Sequence, residues 1–140
     1  MATKIFLDTN IILDVLDDKR HSHKWAVELF IQMEEGVADA FISESVITTT
    51  DYILQKILTK PRRIALLTDL LESLTILSLS NSICHKALQS NFNDLEDAVL
   101  YQIALENEMD YFVSNDTAVI KRISASLLPA VTAKALLNIL

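Results

Sequence analysis

A chain of 140 residues has the length of one domain, and 51% hydrophobic residues exclude a disordered tail or a charged linker. One Gly and two Pro are too few turn-formers for a many-stranded sandwich, and a lone cysteine, Cys84, excludes a disulfide framework and agrees with a reducing compartment. With 19 Asp and Glu against 12 Lys and Arg, the net charge of −7 excludes a globally basic nucleic-acid-binding surface, so an anionic ligand needs a local device such as a metal.

In chain order, Ile5-Phe6-Leu7 reads as a short apolar strand stopped by Asp8-Thr9-Asn10, and Ile11 to Leu16 as a helix. Ser22 is placed to cap a helix through Trp25, Leu29, Phe30 and Met33, ending at Glu35-Gly36. Ala40-Phe41-Ile42 is a second strand. Ser43 to Leu58 reads as a helix, broken at Pro61, and Arg62 to Leu74 as another. Thr75 to Leu79 is a third strand, Ile83 to Gln89 a short helix and Leu95 to Glu106 a longer one. Tyr111-Phe112-Val113 is a fourth strand, Leu127 to Val131 a fifth, and Thr132 caps a last helix from Ala133 to Leu140. Short strands apolar on both faces and separated by helices predict parallel strands covered on both sides. The expected fold class is therefore α/β: one three-layer α/β/α domain over residues 1–140, with a central, mainly parallel sheet of about five short strands.

The N-terminal apolar run is too short for a signal-peptide core, and no stretch reaches the roughly 18 apolar residues of a membrane span. The expectation is no membrane and a cytoplasmic location. A mean hydropathy of +0.30 is high for a small domain and suggests an apolar interface between copies.

In open α/β sheets ligands bind beyond the carboxyl ends of the strands. Asp8 and Asn10 follow the first strand, Ser43 and Glu44 the second, and Ser114, Asn115 and Asp116 the fourth. Singly, Asp8 and Asp116 serve equally well as helix caps; together they mark one end of the sheet. In Asp94-Leu95-Glu96-Asp97-Ala98, the i, i+3 spacing puts Asp94 and Asp97 on one helical face, with Glu96 pointing elsewhere. Asp94 suits a cap, whereas Asp97 adjoins the apolar face, where an acid needs a partner or a metal. Asp51 lies at the edge of the stripe of Val46, Ile47 and Leu54, and Glu44 lies two turns earlier on the same side; either can supply a further carboxylate. Three or four carboxylates facing one another repel without cations. Oxygen donors with no Cys/His set at zinc spacing select Mg²⁺ or Mn²⁺, which suits phosphodiester hydrolysis.

These blocks resemble the PIN-domain nucleases, the superfamily that includes the VapC-type toxins of toxin–antitoxin pairs. Ile5 to Asp14 is similar to the family's "LDTN" opening, Asp94 to Ala98 to its "D-x-E-D-A" segment, and Tyr111 to Asp116 to its hydrophobic strand end. Pro129 to Thr132 is similar to its last strand and helix start. The resemblance spans the chain. It implies a Mg²⁺/Mn²⁺-dependent ribonuclease leaving 5′-phosphate and 3′-hydroxyl ends, an RNA substrate, a protein antitoxin as partner, and a homodimer. Asp8, Asp97 and Asp116 fall on the family's first, third and fourth acidic positions. The second, normally the Glu of "T-x-x-E", is Asp51 in Thr48-Thr49-Thr50-Asp51, with Glu44 as the reserve ligand. The expected catalytic set is thus Asp8, Asp51, Asp97 and Asp116, and the metal set Asp8, Asp97, Asp116 and Glu44. Asn10, Ser43 and Ser114 match polar positions of the family's site.

The dense basic cluster of Lys56, Lys60, Arg62 and Arg63 can meet RNA phosphates or can be a solvated helix start; Arg62 and Arg63 are its candidate substrate binders. His21 and His23 form no zinc spacing, and Trp25 reads as core. A catalytically weak PIN-like binding or dimerisation module is the alternative reading. A receiver-type phosphotransfer domain fits poorly, because Phe6 and Leu7 stand where a paired acid belongs.

Overall fold

The computed structural model describes residues 1–123 and 127–140. Strands and helices alternate as β1 (Thr3–Leu7), α1 (Thr9–Leu16), α2 (His23–Glu34), β2 (Ala38–Ser43), α3 (Glu44–Leu54), α4 (Lys60–Ser73), β3 (Leu74–Leu77), α5 (Asn81–Leu88), α6 (Leu95–Glu106), β4 (Tyr111–Val113), α7 (Thr117–Arg122), β5 (Ala130–Val131) and α8 (Ala133–Leu137). All the strand pairs are parallel, in the order β3-β2-β1-β4-β5.

Successive strand residues point to opposite faces of a sheet. Ile5, Phe6 and Leu7 are nevertheless all fully buried, as are Phe112 and Val113, so helices cover both faces of the two central strands. Phe6 stacks on Phe112 with ring centroids 5.8 Å apart, and Tyr101 of α6 meets Phe112 edge-on at 5.6 Å. The Tyr101 hydroxyl donates to the Leu128 carbonyl at 2.9 Å and accepts from the Leu128 N–H at 3.1 Å, which seats the approach to β5.

The single glycine has a defined job. Gly36 has φ +79°, its N–H donates to Met33 and the N–H of Val37 donates to Gln32, so the pair closes α2 with an αL turn and starts the return to β2. At the other end of α2, Ser22 holds the N-cap position, but its side chain makes no capping bond.

Several elements differ from the sequence reading: β3 runs from Leu74 to Leu77 rather than from Thr75 to Leu79, β5 is only Ala130–Val131, and α8 ends at Leu137 rather than Leu140. α3 ends at Leu54 rather than Leu58, because Arg63 of α4 donates to the Leu58 carbonyl at 2.9 Å and draws the chain into a turn. Pro61 lies in the first turn of α4 rather than ahead of it; proline has no N–H to lose there. α7 was not expected: six residues give a weak periodic signal, yet Asp116 caps the helix by accepting the Ala118 N–H at 2.9 Å. No helix among the described residues is long and apolar enough to cross a membrane.

β1 is the switch point that positions the site. The chain runs outward from β1 through β2 to β3, whereas β4 and β5 are added on its other side. The crevice in such a sheet opens where the order reverses, at the carboxyl ends of β1 and β4.

Candidate functional site

That crevice holds a hydrogen-bonded set built on Asp8, the residue after β1. Asp8 is 6% exposed. Its Oδ1 accepts the N–H of Thr9 at 2.8 Å, so it does cap α1. Its Oδ2 accepts from the Ser114 hydroxyl at 2.9 Å and from Asn10 Nδ2 at 3.2 Å. The capping and site roles thus fall to different oxygens of one carboxylate. Burial pushes the Asp8 carboxyl above its ordinary range and the Asp116 charge adds to that, while the bonds from Ser114, Thr9 and Asn10 pull it back.

Asn10 and Ser114 lock the two strand ends together. Asn10 Nδ2 also donates to Ser114 Oγ at 3.0 Å, Asn10 Oδ1 accepts the N–H of Asn115 at 2.8 Å, and Ser114 Oγ accepts the N–H of Asp116 at 3.1 Å. Asn115 in turn donates to Asp14 at 2.6 Å and accepts the N–H of Ala133 at 3.1 Å, which ties α8 into the same set. Asp14 was not singled out from sequence. It is buried and paired with Arg20 at 2.6 Å, and its position four residues after Asn10 on α1 was the available signal. Thr9 Oγ1 is buried beside Asp8 without a hydrogen-bond partner among the described residues.

The start of α6 brings further carboxylates. Asp94 caps the helix, accepting from the N–H groups of Glu96 at 2.8 Å and Asp97 at 3.3 Å. Asp97 is half-buried and its carboxyl is pushed up to about 6, first by burial and then by the charges of Asp8, Asp94, Asp116 and Glu96. Those influences make Asp8, Asp97 and Asp116 one electrostatic unit, although they come from three separate stretches of chain. Glu96, read from spacing as pointing elsewhere, belongs to the same unit. Burial and the charges of Asp94 and Asp8 raise it, against a bond from Thr49 Oγ1 at 3.5 Å.

Asp51 stands apart. Its Oδ1 accepts from Arg63 Nε at 2.9 Å and its Oδ2 from Gln55 at 3.2 Å, and these bonds hold its carboxyl below the ordinary range. Arg63 is consumed by Asp51 and Leu58, whereas Arg62 is exposed on the first turn of α4. Ser43 is buried at the end of β2, with Oγ 2.8 Å from Ser45 Oγ. Glu44 is exposed and lines, with Ser43, Glu96, Ile76, Leu79 and Leu95, a cavity of about 620 Å³. A second cavity of about 530 Å³ is lined by Asn10, Asp14, Arg20, His21, Asn115 and Asp116.

Among the described residues, no three carboxylate, imidazole or thiol groups converge closely enough to grip one ion by themselves. Mg²⁺ does not require that, since it keeps several waters and is bound through one or two carboxylates. The donor set fits such an ion: all-oxygen ligands, and a carboxyl at Asp97 pushed up to about 6 by burial and then by negative neighbours.

A parallel five-stranded sheet with helices between its strands and acidic residues at its switch point defines the class of the chain as an α/β domain. The chain belongs to the PIN domain family, whose model matches residues 4–118. It is 30% identical over 120 residues to Ribonuclease VapC1 of Aquifex aeolicus (strain VF5), an alignment spanning 82% of this chain and 83% of that protein. It is similar in fold to a chain of VapBC2 from Rickettsia felis, solved with a DNA fragment from the promoter: TM-score 0.69, 18% identity, covering 93% of this chain and 98% of that one. VapC20 of Mycobacterium tuberculosis, a Sarcin-Ricin loop cleaving toxin, gives TM-score 0.65 at 12% identity, covering 85% and 96%.

Proposed function

We propose that the protein is a divalent-metal-dependent endoribonuclease and the toxin of a toxin–antitoxin pair. The observation that carries this reading is the raised carboxyl of Asp97, pushed up to about 6 first by burial and then by the charges of Asp8, Asp94, Asp116 and Glu96. A relative of this length and similarity that is named a ribonuclease supports it. Asp8 and Asp97 would hold the principal ion, and Asp116 would complete the site. Bound there, Mg²⁺ or Mn²⁺ supplies charge neutralisation at the phosphate and a lowered pKa for the attacking water. Asn10 and Ser114 keep Asp8 Oδ2 at a fixed position, and buried Ser43 lines the adjoining wall. Water attacks phosphorus, the bond from phosphorus to the 3′ oxygen breaks, and the leaving oxygen takes a proton to give 3′-hydroxyl and 5′-phosphate ends.

A toxin of this kind acts on cytoplasmic RNA and is restrained by an antitoxin protein, a partner supported by the VapBC2 likeness. A homodimer is supported by apolar side chains exposed on α3, α4 and the turn between them, Tyr52, Ile57 and Ile64 among them. Sedimentation of the purified chain checks that assembly.

The alternative, a binding module with little catalysis, is favoured by one observation: the Arg63 pair withdraws Asp51 and leaves fewer carboxylates for metal. Purified protein incubated with mixed RNA and Mn²⁺, beside an EDTA control and Asp97→Asn, separates the two. Cleavage that needs both metal and Asp97 is the expected result. Absence of cleavage together with absence of a Mn²⁺-induced rise in Tm selects the binding module, because a ligand stabilises only the state it binds.

A further inference from the structure

We propose that the corner formed by the α1–α2 loop, the start of α2 and the start of α8 is the track on which the RNA backbone lies beside the carboxylates. Arg20 and His21 hold the phosphate next to the one being cut, and Lys24 and Lys134 hold the one beyond. The proposal rests on the ribonuclease reading and adds the face by which an acidic protein accepts a polyanion.

The cavity of about 530 Å³ beside the acids joins the two chemistries in one space. Asp116 and Asn10 line one part of it, Arg20 and His21 another. Arg20 is oriented rather than spent. Its Nε is bound to Asp14 at 2.6 Å, and Asp14 is itself fixed by Asn115 at 2.6 Å. The two terminal nitrogens of the guanidinium make no hydrogen bond among the described residues, and a fork so anchored suits phosphate oxygens. His23 Nδ1 lies 2.8 Å from the Asp14 carbonyl oxygen, which pins the loop that carries His21.

Beyond the cavity, Trp25 gathers cations. Lys24 Nζ lies 4.5 Å from the indole ring and Lys134 Nζ lies 5.1 Å from it, while His21 meets the ring edge-on at 5.7 Å. Neither lysine has a carboxylate partner within ion-pair distance among the described residues. Two ammonium groups on one ring repel each other, and the ring's attraction for each is modest when exposed. An anion brought to this patch lowers that repulsion, and a phosphodiester is the anion a nuclease with the proposed site would cut. The acids on the loop do not cancel the patch: Asp14 is paired with Arg20, and Asp17 Oδ1 is turned onto the N–H of Lys19 at 3.0 Å, leaving Asp18 exposed. The remaining dense basic cluster, on α4 and the turn before it, has its member Arg63 tied to Asp51 and Leu58.

The test measures binding of a labelled single-stranded RNA by Asp97→Asn protein across a salt series, with and without Lys24→Gln and Lys134→Gln together. Each phosphate contact to single-stranded nucleic acid contributes about 0.7 to the slope of log affinity against log salt, so the pair is expected to flatten it by about 1.4. In the chain with Asp97 intact, the loss in kcat/KM is expected to fall on KM. His21→Ala is expected to flatten the slope by less and provides a check independent of the lysines. An unchanged slope in both variants overturns the proposal, as does a flattening confined to Lys60→Gln with Arg62→Gln. The two readings remain separable. RNA bound with a slope sensitive to Lys24 and Lys134, but never cut, supports the track and defeats the nuclease; RNA cut with an insensitive slope does the reverse.

Discussion

Asp51 and Asp97 are residues of one type on helices of one layered domain, each partly exposed to solvent, and the fold drives them in opposite directions. Asp51 meets Arg63 and Gln55 and its carboxyl is held below the ordinary range. Asp97 meets burial, Asp8, Asp94, Asp116 and Glu96, and its carboxyl rises to about 6. Paired charge is what folding arranges when an acid has only a structural part. An acid left among like charges is a candidate to meet a cation from outside the chain, and that is the basis on which the proposed function places the site at the start of α6.

The largest effect expected follows from removing the unpaired member. Asp97→Asn should lower RNA cleavage by a factor on the order of 10³ or more, the several kcal/mol that metal-assisted charge stabilisation supplies to such reactions. Initial rates in Mn²⁺ at saturating RNA measure it. Near-normal rates would mean that the crowding at Asp97 has no catalytic consequence, and the comparison would lose its functional meaning.

Ser114→Ala comes next. It removes the buried hydroxyl that donates to Asp8 Oδ2 and leaves the Asp116 N–H and Asn10 with one acceptor fewer. Groups that orient a metal ligand typically cost about 10–100-fold in affinity or activity when lost, and that range is expected here. Mn²⁺ titration followed by Tm should show the affinity part of the loss.

The same contrast fixes a pH dependence. A carboxyl raised in the folded state keeps its proton there while the unfolded chain has already released it. Stability therefore falls as pH rises from the unfolded value, 3.8, through about 6, and levels off above. Metal-free protein should lose Tm across that window. Asp97→Asn should flatten the decline, and Mn²⁺ should reverse it in the unaltered chain. A rising Tm over the same interval would mean that paired acids such as Asp51 dominate and that Asp97 is relieved by a neighbour.

Much of the fold was legible because the strands are apolar on both faces, a pattern that parallel central strands share with little else. Asp8, Asn10, Ser114 and Asp116 were legible for a related reason: they follow strands directly, and strand ends are where an α/β sheet meets its ligand. What spacing could not reveal depends on partners distant in sequence. Periodicity puts Asp51 at the edge of an apolar stripe, but whether it faces other acids or an arginine depends on α4 folding back to bring Arg63 within 2.9 Å. Glu96 shows the same limit from the other side. Its helical position says which way it leaves α6, while its surroundings come from Thr49 on α3 and from Asp8 after β1. Asp14 escaped notice because its chemistry is set by Asn115, far along the chain.

The smallest effect expected is the sharpest probe of the comparison. Asp51→Asn keeps one oxygen for Arg63, turns an amide toward Gln55 and removes the charge. If Asp51 is structural, cleavage should stay within about twofold of the unaltered chain, as exposed ion pairs contribute little. A loss as large as that of Asp97→Asn would mean that Arg63 yields Asp51 to the site when metal and RNA arrive, making the ion pair a resting-state latch. The double variant Asp51→Asn with Arg63→Gln resolves the cases. Two structural partners should show coupling in Tm with little in rate, whereas a latch should show Arg63→Gln alone binding Mn²⁺ more tightly, an advantage lost when Asp51 is also changed.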